Sequence, residues 1–165
     1  MIIRAAVPGD AVPIRGILCA AFAGEQEADL VEHLRRDGEL LLSIVAEDDG
    51  RVVGHVGFSR LWTALDGQRL PGVSLAPLAV AADCRRRGIG ASLVEAGHEQ
   101  LRGAGESIVF VLGDPAYYGR FGYSVPAAAA FDCVYAGSHF QALVLADDAP
   151  PAGAIAYPAA FNRLA

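Results

Sequence analysis

Arg85-Arg86-Arg87-Gly88-Ile89-Gly90 joins an apolar run, Val73 to Val80, to a stretch from about Gly88 to Arg102 with Ile89, Leu93, Val94 and Leu101 at helical spacing. These six residues lie where a strand gives way to a helix. A helix N-terminus offers unpaired main-chain N–H groups and a partial positive charge, and glycine lets an anion approach the backbone closely. Arginine charge improves such a cradle for a diphosphate. The same spacing also suits a solvent-facing basic turn that merely begins a helix. Two other phosphate motifs are excluded. No Gly-Lys precedes a Ser or Thr here, and Leu93 stands where a dinucleotide fingerprint needs its third small residue.

The elements on either side define the architecture. Downstream, Ile108 to Leu112 is short and continuously apolar, as suits a strand buried on both faces. Strand, helix and strand then form a βαβ unit whose strands, Val73–Val80 and Ile108–Leu112, run parallel through a right-handed crossover. Upstream, Ile2 to Val7 reads as a strand ended by Pro8-Gly9, with Asp10 as N-cap of a helix carrying Ile14, Ile17, Leu18, Ala21 and Phe22 on one face. A second helix is predicted from about Glu27 to Asp37, stopped by Gly38. Leu40 to Glu47 and Arg51 to Arg60 read as strands joined at Asp49-Gly50, and Asp66-Gly67 leads into Val73–Val80. In the tail, Ala128 to Tyr135 and Gln141 to Leu145 are predicted strands. The fold class is α/β, with a mixed, mostly antiparallel sheet, one parallel pair and flanking helices, in a single domain over residues 1–165.

Composition narrows the function. Hydrophobic residues make up 53% of the chain and charged residues 19%, which is a globular balance. A net charge of −6 argues against a nucleic-acid binder, which needs a basic face. Cys19, Cys84 and Cys133 are far apart, with no Cys-x-x-Cys pair and no His at ligand spacing, so no metal site and no disulfide framework is expected. Free thiols and an N-terminus without a signal-peptide core lead to the expectation of a cytoplasmic protein. The uncharged stretch Leu70 to Ala82 is too short to span a bilayer.

Arg85-x-x-Gly88-x-Gly90 resembles the Arg/Gln-x-x-Gly-x-Gly/Ala motif of the GNAT superfamily of N-acetyltransferases. Pro77-Leu78-Ala79-Val80 resembles that family's fourth strand. Tyr117-Tyr118-Gly119-Arg120-Phe121-Gly122-Tyr123 resembles its Phe-Tyr-x-x-x-Gly-Phe segment, and the likeness runs in order from Ile2 to about Tyr123. The resemblance implies acetyl-CoA as cosubstrate. It places the pantetheine arm between two splayed parallel strands, here Val73–Val80 and Ile108–Leu112, along Leu78, Ala79 and Val80. The amides of Arg86, Arg87, Gly88, Ile89, Gly90 and Ala91 would hold the pyrophosphate, with Arg85 opening the motif. It also implies that the Leu78 N–H donates to the thioester oxygen and that Tyr118 protonates the departing thiolate. Pro77 inside a strand marks a bulge or an edge, and a bulge would free main-chain groups of Leu78 and Val80. A proline merely near a strand start is the competing account, as a packed aromatic is for Tyr118.

The chain departs from the family in two places. Leu112-Gly113-Asp114-Pro115 is shorter than the usual run, so the family's asparagine contact to the cofactor has no counterpart. No carboxylate lies between Leu70 and Ala82 to act as base on the fourth strand. Glu25, Glu27, His55, Asp114 or a water chain remain as ways to deprotonate the amine. For Glu25 and Glu27, ordinary acidity in a helix's first turn ranks ahead of a substrate role. His55 shares a face with Val53 and Gly57 and reads first as a hydrogen-bonded core residue. The acceptor is expected to be a primary amine of a small molecule or peptide, with a homodimer allowed. Alternatives are acetylation of a protein N-terminus or lysine, a non-catalytic CoA-binding domain, and an unrelated α/β phosphate binder.

Overall fold

Two Asp-Gly turns set the longest hairpins of the computed structural model, which describes residues 1–164. Asp49 and Gly50 have φ of 48° and 74°, and Asp66 and Gly67 have 52° and 76°. Consecutive left-handed residues of this kind twist in the sense that antiparallel strands require. The first turn joins β2 (Leu40–Asp48) to β3 (Arg51–Leu65), and the second joins β3 to β4 (Gln68–Val80). Both later strands are longer than the sequence suggests, because they continue up to the Asp66-Gly67 turn. The eight strands form one mixed sheet.

The chain divides into two compact units, and β3 and β4 each contribute to both. The first unit holds residues 1–59, 76–97 and the chain from Pro158 onward. Here β1 (Ile2–Ala5) pairs antiparallel with β2, and β2 with β3, in a register that sets Ser43 opposite Gly57 and Val45 opposite His55. Helices α1 (Ala11–Phe22) and α2 (Gln26–Arg36) bury Ile14, Leu18, Ala28 and Val31 against Val45 and Ala79. Asp10 precedes α1, but its side chain does not cap that helix. Its carboxylate instead accepts the Val7 N–H at 2.8 Å and two bonds from Arg4, at 2.7 and 3.0 Å. Those bonds hold the Asp10 carboxyl below its usual pKa despite burial. Helix α3 (Ile89–Gly103) begins in this unit. It lies close to β3 because Gly54 and Gly97 lack side chains. A Cβ on Gly97 would come within 2.2 Å of the Phe58 ring, and one on Gly54 within 3.0 Å of Leu93.

The second unit comprises residues 60–75 and 98–157. As expected, β4 pairs parallel with β5 (Ile108–Leu112), through Val73–Val109 and Ser74–Phe110. The tail corrects the prediction. Ala128 does not open a strand but ends a short helix; after α4 (Pro115–Tyr118) comes α5 (Val125–Ala128). Ser124 caps α5 by accepting the Ala127 N–H at 3.2 Å, Pro126 sits in its first turn, and alanine favours the helix. Only Phe131–Asp132 of the predicted strand pairs, as β6, while β7 (Phe140–Val144) begins one residue before its predicted start. An unpredicted strand, β8 (Gly153–Ala156), pairs with both β3 and β6. Leu61, Ile108, Phe110, Ala128, Phe131 and Phe140 make the core of this unit, with Phe110 stacked on Phe140 at 5.5 Å.

Candidate active site

From Val80 the chain leaves β4 through Ala81, whose N–H donates to the Val53 carbonyl at 2.8 Å. A three-residue turn, Ala82–Cys84, follows. Arg51 ties it down with bonds of 2.8 Å to Asp83 and 3.2 Å to the buried Cys84 Sγ. Arg86 and Gly88 then take φ of 64° and 77°, bending the chain into α3. Gly88 adopts that conformation at no steric cost. A Cβ placed there would meet nothing within 4 Å, so the space beside Gly88 is open. The first helical bond runs from Ser92 N–H to the Gly88 carbonyl at 3.0 Å. The amides of Ile89, Gly90 and Ala91 precede it and have no acceptor within the helix.

All three arginines of the turn are exposed. Arg85 Nε donates to the Val80 carbonyl at 3.3 Å, and Arg87 donates to Asp48 at 2.9 Å. The Arg86 side chain has no partner among the described residues. An open, amide-lined, cationic turn of this form fits a diphosphate.

On β4, Pro77 is buried and Leu78 half-buried, while Ala79 faces the α1–α2 core. The strand continues through Pro77, and the Ala76–Pro77 peptide is cis. Gly57 on β3 permits a close approach, since a Cβ there would lie 2.9 Å from the Ala76 carbonyl. The Val80 carbonyl, one of the main-chain groups of Leu78 and Val80 that a bulge would free, accepts the Arg85 bond and keeps a second lone pair.

Tyr117 and Tyr118 end α4, whose N-cap is Asp114; its carboxylate accepts the Ala116 N–H at 2.9 Å. The Tyr118 ring meets Tyr117 and Tyr123 edge-on, at 5.0 and 5.8 Å between centroids. Burial pushes its phenol up to about 12, so it stays protonated at neutral pH. No hydrogen-bond partner for that hydroxyl is present among the described residues. Tyr123 is 3% exposed, and its hydroxyl lies 2.7 Å from Nε2 of His98, itself 4% exposed on α3. Sequence reasoning passed over His98. The available signal was its spacing, which places it with Val94 and Leu101 on the apolar stripe of α3.

Residues 3–125 match the acetyltransferase (GNAT) domain family. The chain belongs to the GNAT acetyltransferase family. It is 42% identical to the uncharacterized N-acetyltransferase YhbS of Escherichia coli K12 over 99% of both chains. The crystal structure of E. coli YhbS in complex with CoA superimposes with a TM-score of 0.90 at 40% identity, covering 99% of this chain and 93% of that one. A GNAT acetyltransferase from Brucella melitensis, solved with acetyl-CoA, gives 0.82 at 37% identity and 97% coverage of both.

The groups considered for a GNAT enzyme's amine deprotonation lie in different settings. Glu25 is exposed and stands 3.4 Å from Arg15, which also binds Asp29 and Glu32 at 3.0 Å. Glu27 lies in the first turn of α2. The Asp114 carboxylate is engaged as a helix cap. His55 is fully buried, with Nε2 2.9 Å from Ser43 Oγ and no partner at Nδ1. Burial, aided by Arg35, lowers its pKa to about 4. That makes it a poor base for an amine and agrees with the core reading. Among the described residues no three His, Cys, Asp or Glu side chains converge as a metal site, and no helix is long and apolar enough to cross a membrane.

Proposed function

We propose that this chain, acting as one N-acetyltransferase domain, moves an acetyl group from acetyl-CoA directly to a primary amine of a small molecule or peptide. One observation carries the reading: the exposed turn at Arg85–Ala91, in a chain 42% identical to YhbS, an uncharacterized N-acetyltransferase whose crystal structure holds CoA. The amides of Arg86 to Ala91 and the arginine side chains would hold the diphosphate. Acetyl-CoA supplies an activated acyl carbon at a thioester. The amine nitrogen attacks that carbon, the carbon–sulfur bond breaks, and the amine proton passes to water or a base.

Two groups of the chain serve the charges that develop. The Leu78 N–H donates to the thioester oxygen as it becomes an oxyanion. The Tyr118 hydroxyl donates to the departing sulfur. A phenol pushed up to about 12 is a weaker acid than a thiol of about 8.5, so Tyr118 acts first as a hydrogen-bond donor to the thiolate. Direct transfer is favoured over an intermediate on Cys84 or Cys133 by the state of those two thiols. Cys84 is buried against Arg51, and burial pushes the Cys133 thiol up.

The test is release of CoA thiol from acetyl-CoA across a broad panel of amines, each compared with a reaction lacking acceptor. At least one amine is expected to raise release above background and to appear as its N-acetyl product by mass spectrometry. CoA binding with no acceptor-dependent release across small amines and peptides would overturn the transferase reading.

A further inference from the structure

Tyr118 is held on two sides. On one side lies Gly113. A Cβ there would fall 2.5 Å from Tyr118 Cε2 and 2.9 Å from Cδ2, closer than real side chains tolerate, so the ring occupies the space that any other residue would fill. Gly113 is itself fixed at both backbone groups. Its N–H donates to the His139 carbonyl at 3.0 Å, and its carbonyl accepts from Gln141 Nε2 at 3.1 Å. Gln141 is fully buried on β7. On the other side lies Tyr123, nearly perpendicular to Tyr118 at 81° and pinned through its hydroxyl to His98 on α3. The motif quoted for the family closes on phenylalanine, whereas this chain has tyrosine at 123. The added oxygen is the atom that reaches His98.

We infer that Gly113 and the Tyr123–His98 pair form a slot that fixes the Tyr118 hydroxyl at the position from which it serves the leaving thiolate. This rests on the proposed role of Tyr118. Gly113, Tyr123 and His98 are positioning residues and act only through the ring. The physical ground is geometric: a hydrogen bond weakens steeply with misalignment, and a displacement of about 1 Å costs up to about 10²-fold in rate. The pair is suited to the task because it is neutral. Burial lowers the His98 pKa to about 4 and keeps Tyr123 protonated, so the contact holds one charge state across neutral pH.

The experiment uses the full chain and two readouts: steady-state kinetics with CoA affinity by calorimetry, and ¹³C NMR of ring-labelled tyrosine. The variants are Tyr118→Phe, Gly113→Ala and Tyr123→Phe, alone and with the latter two each combined with the first. Tyr118→Phe is expected to lower kcat about 100-fold, the lower end of the range for a lost acid. Gly113→Ala should approach that loss, and Tyr123→Phe should lower kcat about 10-fold by loosening the slot without filling it. CoA affinity should stay within about twofold throughout, and neither slot change should add to Tyr118→Phe, because a positioning residue has nothing left to position. The Tyr118 resonance, assigned by its absence in Tyr118→Phe, should shift in both slot variants. If Gly113→Ala proves unfolded, Tyr123→Phe carries the test, since it removes one oxygen and keeps the ring. Wild-type kcat with an unmoved Tyr118 resonance in Tyr123→Phe, or a full loss retained in the Tyr118→Phe background, overturns the slot. Wild-type kcat in Tyr118→Phe with a moved resonance in the slot variants overturns the role of Tyr118 and leaves the slot standing.

Discussion

Residues 85–91 present main-chain amides and three exposed arginines to open space, with a glycine at φ 77°. Residues 113–123 present rings, with a glycine that makes room for one of them and a buried hydroxyl–imidazole bond behind. As proposed, the first region would derive its chemistry from backbone shape, so side chains there would modulate affinity while conformation decides it. As proposed, the second would derive its chemistry from one side chain, Tyr118, so the groups around it would act by steering that group. The two regions should therefore fail in different ways: the turn through binding, the slot through turnover at unchanged binding.

The strongest way to break this contrast is Gly88→Asp. Any side chain at φ 77° is strained, and a carboxylate over the amides repels a diphosphate. CoA affinity is expected to fall by more than about 100-fold in a folded protein. Calorimetry showing affinity within a few-fold of wild type would mean that the turn is only the start of a helix.

A second prediction sharpens the comparison through two buried histidines, one in each unit. His55 and His98 both sit at about 4, lowered by burial first and by Arg35 and Arg102 second. Each is neutral in the folded state above that value, while the unfolded chain binds a proton near 6.5. Between pH 6.5 and 4 the unfolded state thus holds more protons, so stability falls as pH drops through that window and levels off below it. For His55, whose Nδ1 has no partner, the full effect is roughly 3 kcal/mol. Urea unfolding of wild type and His55→Gln at pH 7 and pH 4.5 checks this. The variant should lose part of the pH dependence whatever its stability at pH 7, and an identical pH dependence in both proteins would contradict it.

What the sequence revealed follows the same division between backbone and side chain. Gly88, Asp49-Gly50 and Asp66-Gly67 announce positive φ locally, and the structure has it at each of them. The βαβ unit was legible because Ile108–Leu112 is continuously apolar and the α3 stripe is regular. The tail was not. The run Ala127-Ala128-Ala129-Ala130 carries no strand or helix period, and the Ser124 cap with Pro126 decided for helix. Strand β8, Gly153-Ala154-Ile155-Ala156, offers one β-branched residue and exists because β3 and β6 supply partners. The Tyr123–His98 bond joins residues 25 apart on different elements, a pairing that only the fold creates. Tyr118 was found through its motif, but its slot was beyond sequence reasoning, because nothing local says that Gly113 is glycine to make way for a ring.

The smallest effect is expected at Asp48, and it probes whether side chains at the turn modulate binding as the comparison requires. Asp48 accepts from Arg87 at 2.9 Å and lies 3.9 Å from the N-terminal ammonium. Arg87 holds its carboxyl below the usual carboxylate range, so it is charged throughout neutral pH. Both side chains are partly exposed, at 48% for Arg87 and 27% for Asp48, so the pair is screened by water and contributes little to stability. Its influence on a ligand is electrostatic: a carboxylate beside Arg87 offsets part of the positive charge offered to the diphosphate. Asp48→Ala releases Arg87 and should tighten CoA binding by about twofold to threefold at low salt. Arg87→Ala should weaken it by a similar factor. Both effects should shrink between about 20 mM and about 500 mM salt, where the screening length falls from roughly 20 Å to about 4 Å. Calorimetry at the two salt concentrations separates this from a conformational effect, which would persist at high salt. Equal affinity in wild type and both variants at low salt would remove Arg87 from the binding site and leave the amides and Gly88 as its working parts.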